Sequence, residues 1–121
     1  MNERVEEAVY AAFVSQLIKP QPTAAEDVLH GPVGISKEAG ELLDNVYRHW
    51  NYGRQVDRDN LVEELGDIRF YMRHLQNLFQ ITDQEILQYN VTKLSKRYPT
   101  GYSDAAALAR ADKQETDNAA G

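Results

Sequence analysis

Apolar residues recur every three or four positions along most of the chain, and no stretch alternates for long enough to make a strand. The first periodic segment, Glu3 to Lys19, sets Val5, Ala8, Val9, Ala12, Phe13 and Leu17 on one stripe before Pro20 and Pro22 stop it. A second helix is predicted from Ala24–Asp27 to Trp50, with Gly31-Pro32 kinking or interrupting its start and Asn51-Tyr52-Gly53 closing it. A third runs from Asn60 to Gln80, opened by a capping-box arrangement of Asn60 and Glu63. Thr82 and Glu85 form a clearer box at the start of a fourth helix, which continues to Arg97 ahead of Pro99. Beyond Pro99 the chain turns small and polar, with a short helix expected over Ala105 to Ala111 and a frayed tail over Asp112 to Gly121. The pattern predicts an all-α bundle of four to five helices, with one helical domain over residues 1–103 and an extension over 104–121.

Two acidic pairs stand out against this background. Glu38 and Glu41 lie in KEAGELLD, Glu64 and Asp67 lie in EELGD, and positions three apart share one helix face. With Glu38 as zero, Leu42, Val46, Ala39, Trp50 and Leu43 fall at about 40 to 140° and Glu41 near 300°. With Glu64 as zero, Leu61, Leu65, Ile68, Met72, Leu75 and Phe79 fall at about 20 to 100° and Asp67 near 300°. Each pair therefore borders its own apolar stripe on the same flank, joined one turn further along by Asn45 on the first helix and Tyr71 on the second. Packed antiparallel, the two helices would gather four carboxylates. Like charges roughly 5 Å apart repel by about 3 kcal/mol at an effective dielectric near 20, a conflict that a hard cation resolves. The chain has no Cys, and no His stands beside the pairs, so Mg²⁺ or Mn²⁺ suits the site better than zinc.

On the fourth helix Leu87, Val91, Leu94 and Tyr98 make an apolar stripe, and Asn90, Lys93 and Arg97 share the polar edge beside it. Facing the carboxylates, that edge would supply cationic donors opposite a metal, which is what a polyphosphate needs. Each feature also has an ordinary reading. A lone acidic pair is most often a solvated face, and it is the matched phase of two pairs that argues against this. The Asn90, Lys93 and Arg97 edge, taken alone, is an ordinary polar face. Trp50, Tyr52 and Phe79 are more often core or subunit contacts than groups that stack on a base. Asp27 and His30 have the spacing of half a di-iron site, but such bundles use a Glu-x-x-His motif on each of two helices, and position 67 is Asp.

The 121 residues and net charge of −6 narrow the class further. The charge opposes broad binding to nucleic acid while allowing a small phosphorylated ligand carried with its metal. The N-terminus is too polar for a signal peptide and no apolar run approaches a membrane span, so a cytoplasmic protein without membrane contacts is expected. So short a bundle cannot bury Trp50, Phe79 and the first-helix stripe by itself, which predicts a homo-oligomer.

The order E-x-x-E, a spacer of some twenty residues, then E-x-x-D resembles the MazG-like all-α nucleoside triphosphate pyrophosphohydrolases. The likeness extends from about Val9 to Ser103. It takes in His30 and Gly34 ahead of EAGEL, EELGD with Tyr71 behind it, and N-V-T-K-L-S-K-R-Y-P from Asn90 to Pro99. Pro32, between His30 and Gly34, departs from a helix-compatible pattern. The likeness is strongest to short bacterial and phage members. It implies Mg²⁺-dependent hydrolysis of a nucleoside triphosphate, a deoxynucleotide foremost, to the monophosphate and pyrophosphate by a homodimer or homotetramer. It also implies metal binding by Glu38, Glu41, Glu64 and Asp67. Within that scheme Glu38 is the candidate base, and Asn90, Lys93, Arg97 and Tyr71 are candidate phosphate or substrate contacts, with His30 and Trp50 as base-pocket candidates. The alternatives are a non-catalytic helical interaction module and a pyrophosphohydrolase acting on phosphoribosyl-ATP.

Overall fold

A computed structural model describes residues 3–113 and carries five helices: α1 (Glu7–Leu17), α2 (Ala24–Tyr52), α3 (Arg58–Phe79), α4 (Asp83–Arg97) and α5 (Asp104–Ala109). Among the described residues there is no strand beyond one isolated bridge between Pro99 and Gly101, and no helix is long and apolar enough to cross a membrane. The fold is all-α, as the periodicity predicts. The chain divides into two compact units, Met1–Ile81 and Thr82–Gly121.

In the first unit α3 packs against both α1 and α2. Thr23 starts α2 by accepting a hydrogen bond from the Glu26 amide at 3.1 Å, and Gly53 ends it at a left-handed φ of 66°. The helix runs unbroken through Pro32, where the sequence predicted a kink or break. Proline inside a helix costs about 3 kcal/mol. Here Gly31 and Gly34 on either side of it are buried, so tertiary contact carries the segment past a local penalty. At α3 the expected Asn60–Glu63 box gives way to Asp57, whose Oδ1 accepts from the amides of Asp59 at 3.0 Å and Asn60 at 3.3 Å. The helix therefore starts earlier, and the Asn60 side chain is available for another contact.

Two glycines set how closely α2 and α3 approach. A Cβ on Gly34 would lie 2.3 Å from Cγ and Cδ1 of Tyr71, and one on Gly31 would lie 3.2 Å from Cβ of Leu75. The Tyr71 ring occupies the space that any larger residue at position 34 would need. Gly40 and Gly66, in the two acidic motifs, have nothing within 4 Å of such a Cβ.

The predicted stripe of α1 faces outward. Val5, Val9, Phe13 and Leu17 are all more than half exposed, whereas Val14 is fully buried. The inward face carries polar anchors: Arg73 of α3 donates to Glu7 at 2.8 Å, and Asn77 Nδ2 donates to the Ala11 carbonyl at 2.9 Å. Further along α3, His74 Nε2 lies 2.9 Å from the Asp27 carbonyl, a contact that calls for the proton on Nε2. Arg73, His74 and Gln76 are buried, and Val14 is the buried large apolar side chain among the described residues. Periodicity misjudged the inward face because these polar side chains pair across it rather than seeking water.

In the second unit Thr82 Oγ1 accepts from the Glu85 amide at 3.0 Å, the predicted cap of α4, and Ser103 Oγ caps α5 by accepting from Ala106 at 3.0 Å. Leu87, Val91 and Leu94, the expected buried stripe of α4, are exposed. Arg97 instead turns to Asp112, which the sequence placed in a frayed tail; of that tail, residues 114–121 lie outside the described ones.

Gly34→Ala is expected to destabilise the protein by about 1 to 3 kcal/mol, because Tyr71 must leave its seat to admit the methyl group. Gly66→Ala, in open helix surface, should be neutral or stabilising by up to about 1 kcal/mol. Chemical denaturation of both variants checks the pair, and equal effects would refute the role given to the Gly34–Tyr71 contact.

Candidate active site

The close approach at Gly34 and Tyr71 fixes an antiparallel register. Four residues on along α2 and four back along α3 bring Glu38 level with Asp67; Glu41 then meets Glu64, and Asn45 meets Asn60. The last match is a direct contact, Asn45 Nδ2 donating to Asn60 Oδ1 at 2.9 Å and also to Glu64 Oε1 at 3.3 Å. Carboxylate oxygens of Glu38, Glu41 and Glu64 all lie within 4.8 Å of one another. Asp67 falls outside that set, although its charge acts on both Glu38 and Glu64.

Glu38 is 7 % exposed and Glu64 8 % exposed, so the acids flanking the apolar stripes are buried more deeply than Leu43, Val46 or Trp50 within them. Burial pushes the carboxyl of Glu38 above its ordinary range, helped by a hydrogen bond with Glu41 and by the charges of Glu41 and Asp67, against the opposing charge of Lys37. Glu64 is raised first by burial, then by the charges of Glu41, Asp67 and Glu63, while the hydrogen bond from Asn45 works the other way. Oε2 of Glu38 and Oε2 of Glu64 are each buried without a hydrogen-bond partner. Two orphaned anionic oxygens converging from facing helices fit a hard divalent cation, which takes oxygen ligands and removes the repulsion. A cavity of about 400 Å³ opens beside them, lined by Lys37, Gly40, Glu41, Asp44, Asn45 and Glu64.

Residues 33–102 match the MazG nucleotide pyrophosphohydrolase domain, a span that begins inside α2 and contains both acidic pairs and all of α4. The chain belongs to the MazG family. It is also 30 % identical over 80 residues to the Gene 37 protein of Mycobacterium phage L5, an alignment covering 63 % of this chain and 70 % of that protein. No solved structure matches.

Among the other sequence candidates in this MazG chain, Tyr71 stands in the helix contact, its ring 5.6 Å from that of His30, which in turn lies 5.8 Å from His74. His30 thus belongs to the packing that sets the register. Trp50 is 78 % exposed near the end of α2 and touches Tyr47. Asn90 is exposed on α4. Lys93 lines a cavity of about 490 Å³ with Glu85, Tyr89, Lys96, Asp112 and Lys113. Arg97 holds Asp112 through two bonds, Nε to Oδ1 at 2.7 Å and a second nitrogen to Oδ2 at 3.1 Å. Sequence reasoning put Asn45 on the acidic edge without giving it work, and it missed Lys37 and Asn60. Lys37 is adjacent to the first acid in the chain, which is the available signal; the contact with Asn60 emerges only once the register is known.

The hydrogen bonds from Arg97 hold the Asp112 carboxyl below the ordinary range. A depressed folded value means that the pair stabilises the protein above the carboxylate's unfolded pKa, and that this contribution is lost as pH falls through the folded value. Asp112→Asn should therefore flatten the acid side of a thermal-stability profile while changing the neutral side by a constant offset. An unchanged slope below the ordinary carboxylate range would contradict the pairing.

Proposed function

We propose that this MazG chain hydrolyses nucleoside or deoxynucleoside triphosphates to the monophosphate and pyrophosphate, using Mg²⁺ with Mn²⁺ as a substitute. The observation that carries the reading is the trio Glu38, Glu41 and Glu64, gathered within 4.8 Å with two buried oxygens unpartnered. Those three, with Asp67, would hold the metal, which when bound neutralises phosphate charge and lowers the pKa of a bound water.

Glu38 is the proposed base, since one of its carboxylate oxygens is buried with no hydrogen-bond partner and so is placed to accept a proton from the attacking water. The water oxygen forms a bond to the α-phosphorus, the bond to the bridging oxygen breaks, and pyrophosphate leaves with that electron pair. Asn45 fixes Glu64 by its hydrogen bond, keeping one carboxylate oriented while Glu38 changes protonation. Lys93 and Arg97 are proposed as phosphate donors, and an anion that uses the Arg97 fork must displace Asp112 from it. The exposed apolar residues Val9, Phe13, Trp50 and Phe79 support assembly as a homodimer or homotetramer, in keeping with a cytoplasmic enzyme.

Pyrophosphate release from a panel of nucleotides with and without Mg²⁺ tests the activity directly. Glu41→Gln is expected to lower kcat on the order of a hundredfold or more. It should leave metal-free stability unchanged or raised, because a repelling charge is gone. Lys93→Met should reduce kcat/KM by roughly ten- to a hundredfold, the scale of one charge-assisted hydrogen bond. Near-normal Mg²⁺-dependent turnover in Glu41→Gln would reject the acidic centre. Light scattering at micromolar concentration should give a mass of at least a dimer, and a stable monomer would reject the assembly.

A further inference from the structure

Beyond the last turn of α2, the positive φ of Gly53 turns the chain back so that Arg54 returns beside Arg48 and His49. His49 Nδ1 pairs with the carbonyl of Arg54, tying the connection to the helix it has just left. Together with Asn45, Asp57 and Asn60 these residues surround a cavity of about 180 Å³. Asn45 lines this cavity and the acidic one as well. The Asn45 amide is therefore shared between a cluster of carboxylates and a cavity lined by two arginines.

The charges around the small cavity are unevenly committed. Arg48 makes a 3.0 Å pair with Asp44, but both side chains are more than half exposed, so the pair is weak. Arg54 has no ion-pair partner among the described residues. The one acidic lining residue, Asp57, has its Oδ1 engaged by the first amides of α3. Elsewhere, the Arg97 fork is already filled by a carboxylate. The Arg54 fork is thus open, in the same unit as the acidic trio.

We propose that Arg54, assisted by Arg48, forms an anion subsite for the terminal phosphates of the substrate, the part that departs as pyrophosphate. The inference rests on the pyrophosphohydrolase reading of the acidic cluster. As the bridging bond breaks, its electron pair passes to the leaving pyrophosphate, and negative charge grows on the group facing the arginines. A planar guanidinium meets two phosphate oxygens at once, which Lys cannot do. Asn45 is shared by this cavity and the carboxylates, so that the metal-binding end and the leaving-group end of one substrate meet protein of opposite sign.

Isothermal titration of the full chain with pyrophosphate and, separately, with nucleoside monophosphate, both with Mg²⁺ present, tests the assignment. Arg54→Gln should weaken pyrophosphate binding roughly ten- to a hundredfold while leaving monophosphate affinity within about twofold, and Arg54→Lys should recover only part of the loss. Arg48→Gln should show the same selectivity with a smaller loss. Wild-type affinity for pyrophosphate in the Arg48→Gln, Arg54→Gln double variant would overturn the subsite. So would equal loss of both ligands, or no pyrophosphate binding by the wild-type chain. Turnover of nucleoside triphosphates, measured in parallel, separates the two readings. Selective loss of pyrophosphate binding in a chain without turnover keeps the subsite and rejects the reaction. Turnover with Arg54→Gln indistinguishable from wild type in pyrophosphate affinity does the reverse.

Discussion

Everything in the first unit depends on holding like charges together out of water. Glu38 and Glu64 are more than nine-tenths buried, each with an oxygen that no protein group satisfies, and Asn45 is the neutral donor that reaches one of them. Left to themselves, α2 and α3 would relieve this by sliding or separating. The Tyr71 ring seated on Gly34 opposes that, because the contact exists in one register and a slip by one residue would drive a side chain into the ring. Packing at one end of the helix pair thus maintains electrostatic tension a turn or two away. Acids gathered in this way fit a hard cation.

The rest of that unit shows the same preference for polar anchoring. Arg73 reaches Glu7, Asn77 reaches the backbone of α1, and His74 meets the backbone of α2, so α3 grips its neighbours by directional bonds as much as by apolar contact. Such bonds specify geometry well and contribute only about 1 kcal/mol each in net stability. The apolar residues that would have supplied a larger share, Val9, Phe13 and Leu17, lie on the outer face of α1, and Val5 ahead of the helix is exposed as well.

The helices were legible in the sequence because periodicity, Pro20, Pro22, Gly53 and the Thr82 cap are local signals: α1 ends ahead of the prolines, α2 ends at Gly53 and α4 starts after Thr82, whereas α1 starts at Glu7 rather than at Glu3, where no cap marks the start. The acidic pairs were legible because i, i+3 spacing holds on any helix. What failed was whatever required knowing a neighbour. Asn60 has the chemistry of a cap, but Asp57 does that work and frees Asn60 for Asn45. Pro32 carries a breaking signal that the buried glycines around it outweigh. The α1 stripe is correctly periodic, yet it points outward because Glu7 and Ala11 on the opposite face are claimed by Arg73 and Asn77. Arg97 reads as an open donor until Asp112, fifteen residues later, closes on it.

The glycines that immediately precede Glu41 and Asp67 have a consequence of their own. Each lies mid-helix, where Gly costs up to about 1 kcal/mol relative to Ala, and neither makes the close approach that justifies Gly34. The turns that present the second acid of each motif therefore carry a residue with no side chain to restrict the backbone, while the first acids are fixed by burial. The two motifs are thus built alike and unevenly: in each, the first acid is held in place by burial, and the second follows a glycine on open helix surface.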